Sequence, residues 1–321
     1  MDHIEATLKT EYGITADSVT PAVGGLSALA YKISSKEGMF WLKEYDKAKI
    51  NTAKQLEKLD LGMAVAFWLE NNTSLKGRVN SPIPTRQGKI KAETPECTYL
   101  LFSYIDGVTP RTTPLSPSQQ EELSEIVGEL HKYGSDMPFS FSSIRETFEI
   151  PCAEILKIKH QKPDNSLCVY QQYDMLLQAV ELAKNLAAQI ESEKLPFVLC
   201  HADIHGWNIM QSDKLILIDW ESIRYAPAEA DLYTFWGDWY WGDSNWGSYW
   251  DVFFPIYKKL NPSYDFREKV LRFYQLRRHI EDIEEFHKEY LYDDITEKEA
   301  NEIKSHLERE CRFLASMLQE H

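Results

Sequence analysis

A chain of 321 residues that is 43% hydrophobic can bury one large core or two smaller ones joined by a hinge. Single cores stop growing at about 250 to 300 residues, so two lobes are expected. With 50 acidic against 35 basic residues the net charge is −15, which disfavours nucleic acid and anionic membrane as partners and favours cationic ligands.

Cys97, Cys152, Cys168, Cys200 and Cys311 are scattered without a C-x-x-C pair. That argues against a disulfide framework or a zinc cluster and fits a reducing cytoplasm. The opening residues Met-Asp-His-Ile-Glu show no basic stretch followed by an apolar one, and the longest apolar run, Met63 to Leu69, is too short to span a bilayer. A soluble, untargeted protein is expected.

Along the chain, Val23-Gly24-Gly25 punctuates a strand pattern in which the runs Leu29 to Ile33, Met39 to Leu42 and Thr98 to Tyr104 read as strands, with a helix around Asn51 to Glu70. This predicts a small sheet carrying one principal helix. Asp106-Gly107 and the Pro/Thr/Ser-rich stretch from Thr109 to Ser118 read as the way out of this lobe, which places the lobes at 1–105 and 106–321.

Beyond the boundary the pattern turns helical. Ser116-Pro117-Ser118-Gln119 supplies an N-cap, a first-turn proline and a capping-box glutamine ahead of the apolar stripe Leu123, Ile126, Val127 and Leu130. A second helix is expected from about Gln171 to Glu193, and charged helices after Asp265. Between them lie two short apolar runs, Phe197 to Cys200 and Leu215 to Ile218.

The loop between those runs reads His-Ala-Asp-Ile-His-Gly-Trp-Asn, residues 201–208. Phosphoryl transfer needs a carboxylate to orient the attacking hydroxyl and take its proton, oxygen ligands for Mg²⁺, and a cation on the phosphates. The kinase pattern H-R-D-x-x-x-x-N with a downstream metal-binding aspartate is met by His201, Asp203, Asn208 and Asp219. Trp220-Glu221 stands where protein kinases carry Phe-Gly, and His-x-Asp-Ile-His replaces His-Arg-Asp-Leu, which points toward small-molecule kinases. His201 and His205 are four apart, but H-E-x-x-H is absent and the segment reads as loop, so zinc is not expected.

These motifs, with Val-Leu-Cys before the loop, Ile-Asp-Trp-Glu and then Ala-Pro-Ala-Glu-Ala-Asp-Leu, resemble the aminoglycoside phosphotransferase and choline kinase family over nearly the whole chain, and most of all its spectinomycin phosphotransferase branch. The resemblance implies an α+β, two-lobed protein-kinase-like fold, with a small antiparallel-sheet N-lobe and a larger, mostly helical C-lobe. It implies Mg²⁺, ATP or GTP as donor, and a small cationic hydroxylated acceptor such as an aminoglycoside or aminocyclitol. The alternatives are a metabolic kinase acting on choline, another amino alcohol, homoserine or a sugar, and a non-catalytic relative of the spore-coat kind. A monomer or homodimer is expected.

Carried over residue by residue, the resemblance makes Asp203 the catalytic base and Asn208 and Asp219 the metal ligands. Lys43 would sit on the α and β phosphates, ion-paired with Glu57 or Asp60. The backbone around Gly25 and Ser27 would cover the phosphates, and that of Ser103 and Ile105 would hold the base. His201, on the nucleotide side, holds the loop by hydrogen bonds, and His205 lies near phosphate or substrate. For the acceptor, Asp231, Glu281 and Asp282 offer carboxylates to ammonium groups, although an acidic run is most often a solvated helix face. The aromatic stretch from Tyr233 to Phe254 reads mainly as packing, with Trp236 and Trp239 as candidates for a pocket wall.

Overall fold

The computed structural model describes residues 2–22, 28–48, 50–111, 113–134, 137–160, 166–236, 240–241, 244–245, 249–293 and 295–319. Gly25, Ser27 and Trp239 lie outside this set, as does the side chain of Glu57. A short helix α1 (Asp2–Thr7) precedes β1 (Ala16–Ala22), β2 (Leu29–Ser35) and β3 (Gly38–Asp46); α2 (Ile50–Asn72), β4 (Ala92–Glu93) and β5 (Cys97–Ser103) follow. The strands form one antiparallel sheet in the order β1-β2-β3-β5-β4.

Strand periodicity sorts this lobe's side chains. Along β5, Tyr99 and Leu101 join Ile4, Leu8, Ile33 and Leu42 in a small core on one face, while Leu100 and Phe102 face α2 and the main core. Leu42 in β3 belongs to the first face, so its neighbours Trp41, Lys43 and Tyr45 belong to the second. The alternation therefore aims Lys43 at the side where α2 and the rest of the molecule lie. Sequence patterning passes over β1, because its burial does not alternate and it contains Pro21. Lacking an N–H, proline is tolerated there because β1 is an edge strand.

The second region is mainly helical: α3 (Pro117–Leu130), α4 (Ala153–Lys157), α5 (Cys168–Gln171), α6 (Tyr173–Glu191), α7 (Glu229–Leu232), α8 (Trp250–Leu260), α9 (Glu268–Tyr292) and α10 (Glu297–Gln319). The α3 capping box forms as expected. The Ser116 side chain accepts from the Gln119 N–H at 3.4 Å, and Gln119 Oε1 accepts from the Ser116 N–H at 3.0 Å. The α3 stripe is buried and packs against α8, where Ser124 Oγ donates to the Phe253 carbonyl at 2.7 Å.

Two small antiparallel ladders complete the region. β6 (Val198–Cys200) pairs with β9 (Arg224–Ala226), and β7 (Ile209–Gln211) pairs with β8 (Leu215–Leu217). The loop 201–208 thus runs from β6 into β7, and β7 returns through a hairpin to β8. Three residues carry too short a pattern for β7 or β9 to be read from sequence.

The two regions meet at Trp220, which is 1% exposed and whose Nε1 donates to the Leu217 carbonyl at 3.1 Å. Helix α2 crosses it at Gly62, where an added Cβ would lie 2.2 Å from the Trp220 carbonyl oxygen, so only glycine permits this approach. The linker is tied to the loop's exit by paired bonds between Val108 and Gln211 (3.0 and 2.8 Å). Among the described residues no helix is long and apolar enough to cross a membrane.

Candidate active site

The loop is held from behind by Asp231 in α7. This carboxylate is 1% exposed; its Oδ2 accepts from the His201 N–H at 2.9 Å and its Oδ1 from the Ala202 N–H at 2.6 Å. Ala202 adopts a left-handed φ of 63°, an unfavourable conformation for alanine that the two bonds to Asp231 help hold. His131 Nε2 meets Oδ2 at 3.0 Å and its Nδ1 meets Tyr257 Oη at 2.8 Å. His131, Cys200 and Asp231 place ligand atoms within 4.8 Å of one another, but the imidazole and carboxylate atoms are already hydrogen-bonded, so the cluster is a network that braces the loop.

His201 braces the other side. It is fully buried, its Nε2 donates to the Ile218 carbonyl at 3.0 Å, and its ring lies edge-on to Trp220 with centroids 4.8 Å apart. The loop is thereby linked to Asp219, whose φ of 68° is also left-handed. Gly206 lies against Arg111: a Cβ there would fall 1.7 Å from the Arg111 carbonyl oxygen, while Arg111 N–H donates to the Gly206 carbonyl at 2.8 Å.

On the sheet side, Lys43 Nζ donates to Asp219 Oδ1 at 2.7 Å and to Glu221 Oε1 at 2.9 Å, and Tyr45 donates to Glu221. Burial disfavours the Lys43 charge, but Asp219 and Glu221 outweigh it and hold the ammonium well above the usual lysine range. Burial pushes Glu221 up and the neighbouring Asp219 charge adds to this, against the pull of Lys43. Asp219 stays 34% exposed at its side chain, open to a ligand.

Across the loop, Asp203 is gripped at both oxygens. Asn208 Nδ2 donates to Oδ2 at 2.9 Å and to the Asp203 carbonyl at 3.0 Å, and Arg278 Nη1 donates to Oδ1 at 3.0 Å. His205 Nε2 stands 3.4 Å from Oδ1. Burial opposes ionisation of Asp203, but His205 and Arg278 overcome it and keep the carboxyl well below the usual range. Because Asn208 commits its Nδ2 to Asp203, its Oδ1 is the atom left for a cation, and together with the Asp219 carboxylate it forms a hard-oxygen pair that suits Mg²⁺.

Beyond Asp203, α9 carries a lattice of charges. Arg277 bonds Glu146 at 2.8 Å and Glu281 at 2.7 Å; Arg278 Nε bonds Asp282 at 3.1 Å; Arg224 approaches Glu146 at 3.5 Å and Glu281 at 3.7 Å. Burial works against the Glu146 charge, yet Arg277 and Arg224 bring its pKa down to about 2.

The structure brings Lys43, Asp203, Asn208 and Asp219 to one loop and its flanks, with His205 beside Asp203. Ser103 ends β5 and Ile105 follows in the linker. Four expectations are corrected. Asp60 lies against Lys91 at 2.7 Å, and among the described residues the carboxylates on Lys43 are those of Asp219 and Glu221; the Glu57 side chain lies outside them. Asp231 is buried under the loop and faces no acceptor. His201 is fully enclosed and bonded to the Ile218 carbonyl, so it holds the loop and offers no face to a ligand. Trp236 packs edge-on against Phe266, in a cluster with Trp250 and Phe254.

Sequence reasoning missed Glu221, noticed only as a departure from Phe-Gly, and Arg278, whose signal was its spacing four residues before Asp282 on a helix. Arg111 carried no signal.

This fold and site define a kinase-type phosphotransferase acting on small molecules. Residues 18–267 match the phosphotransferase enzyme family, APH, and the chain belongs to that family. Its fold is similar to that of spectinomycin phosphotransferase APH(9)-Ia, solved with ADP and spectinomycin: TM-score 0.76, 18% identity, 99% of this chain and 98% of that one covered. The microcompartment-associated aminopropanol kinase is similar at TM-score 0.69 and 13% identity, covering 100% of this chain and 98% of that one. Protein StrN of Streptomyces griseus is 23% identical over 231 residues, 66% of this chain and 64% of StrN, so the match spans less than two thirds of that relative.

Replacing Asp231 with Ala strips the acceptor from two loop N–H groups and from His131. Loss of one partner from a buried network of this kind costs about 3 to 5 kcal/mol, so a lowered midpoint in urea unfolding is expected. Glu146 gives a pH-dependent counterpart. Its folded pKa is depressed to about 2 from 4.5, so its stabilisation is present above the unfolded value and drains away as pH falls toward the folded one. The stability difference between wild type and Glu146→Gln should shrink by about 2 kcal/mol between about pH 5.5 and about pH 3.

Proposed function

We propose that the protein transfers the γ-phosphate of ATP or GTP to a hydroxyl of a small cationic molecule, with an aminocyclitol such as spectinomycin as acceptor. The observation that carries this reading is the division of two carboxylates by one braced loop: Asp203 meets Asn208, His205 and Arg278, whereas Asp219 meets Lys43. Asp203 orients the acceptor hydroxyl and takes its proton, a role that requires a fixed carboxylate with lone pairs to spare. Lys43 holds the phosphates. Asn208 Oδ1 and Asp219 would hold Mg²⁺, which when bound neutralises charge on the phosphates.

The linker around Ser103 and Ile105 would carry the purine, with the lobe boundary near residue 105. The spectinomycin complex of a protein similar over 99% of this chain favours the aminocyclitol.

A second reading, an amino-alcohol kinase, is favoured by the charge lattice. Glu281 and Asp282 are already paired with Arg277 and Arg278, which leaves little unbalanced negative charge for a polycation. Likeness to an aminopropanol kinase points the same way.

Incubation with Mg·ATP or Mg·GTP and spectinomycin, aminoglycosides, choline, 1-amino-2-propanol, homoserine or methylthioribose separates these readings by the product formed. Phosphorylation of none of them would overturn both. With whichever acceptor reacts, Asp203→Asn should lower kcat by about 10² to 10⁴ while nucleotide affinity holds. Asp219→Ala should weaken Mg·nucleotide binding in calorimetry, and chelation of the metal should abolish turnover. Equal loss of nucleotide binding in both variants would show the roles are misassigned.

A further inference from the structure

We propose that Arg278 and Asp282 are a positioning pair that aims the Asp203 carboxylate, so that Asp282 acts through the Arg278 guanidinium and is not an acceptor ligand. One guanidinium spans two carboxylates: Nη1 lies 3.0 Å from Asp203 Oδ1 and Nε lies 3.1 Å from Asp282 Oδ2. Asp282 follows Arg278 by one helical turn of α9, so it fixes the arginine before the arginine fixes Asp203. Asn208 Nδ2 takes the other Asp203 oxygen at 2.9 Å. Asp203 is therefore gripped from two elements at once, its own loop and α9. Oδ1 also meets His205 Nε2 at 3.4 Å, so Oδ2, which accepts from Asn208, is the oxygen that retains a further lone pair for a hydroxyl.

Arg278 is backed by its own helix. The preceding residue, Arg277, ties α9 to the buried Glu146 at 2.8 Å, and α9 packs against α6 and α10. A planar guanidinium with donors in a fixed fork suits a bridge of this geometry better than a lysine ammonium does. An acceptor ammonium drawn to Asp282 would share the carboxylate with Arg278 Nε and weaken that end of the bridge. The two uses give different kinetics.

The proposal rests on the reading of Asp203 as the residue that orients the attacking group, so the test uses water as acceptor and includes Asp203→Asn as a control. With the intact protein and Mg·ATP, release of labelled phosphate is followed over hours. Arg278→Met should lower kcat for hydrolysis about 30-fold with KM for ATP within about twofold, and Asp282→Asn should lower it about fivefold. The double variant should be no slower than Arg278→Met alone, and Arg278→Lys should recover part of the loss.

Single effects that multiply in the double variant, or hydrolysis by Arg278→Met at the wild-type rate while Asp203→Asn is slowed, would overturn the proposal. Loss of no activity in Asp203→Asn would instead overturn the reading beneath it. Crystal structures of Arg278→Met and Asp282→Asn carry the same test without turnover. The Asp203 carboxylate should rotate off Asn208 Nδ2 in the first, and an unchanged rotamer there would contradict the pair.

Discussion

The carboxylate of Asp231 accepts the backbone N–H groups of His201 and Ala202 from beneath the loop, and the geometry of the site descends from those two bonds. With Ala202 held at a φ of 63°, the chain turns sharply between a buried histidine and an outward aspartate. His201 reaches back to Ile218 and Asp203 reaches forward to Arg278. A buried charge of this kind is costly by itself. Its cost is offset by three hydrogen-bond partners, counting His131, which is why it sits in a closed network and not in a pocket.

The same constraint keeps the two carboxylates of the site distinct. Asp219 leaves β8 beyond Ile218 and meets the lysine that the alternation of β3 aims across the seam at Trp220. Asp203, on the far side of the loop, meets an asparagine and a guanidinium from α9. Each is ionised for its own reason, Lys43 stabilising one and His205 with Arg278 the other. That division suits a reaction in which a metal-bound phosphate and an acceptor hydroxyl approach from opposite sides.

Local pattern made part of this legible. The spacing of His201, Asp203 and Asn208, the strand ending before Asp219, the strand lysine and the Ser116 capping box are all short-range features, and all could be read directly. What escaped depends on distant contacts. Asp231 looks like any charged residue near the loop, and only burial reveals that it faces inward. The bridge from Arg278 to Asp203 joins residues 75 apart, which no periodicity encodes. Glu221 reads as a departure from a motif until Lys43 is seen against it. The edge strand β1 hides behind Pro21, and Trp236, a candidate pocket wall, packs against Phe266.

A crystal structure with Mg²⁺ and a non-hydrolysable ATP analogue tests the division of labour most directly. The account predicts the ion at about 2.0 to 2.1 Å from Asp219 and from Asn208 Oδ1. It also predicts Lys43 turned to the phosphates and Asp203 still held by Arg278, without a bond to the metal. An ion ligated by Asp203, or a nucleotide bound away from Lys43, would contradict it.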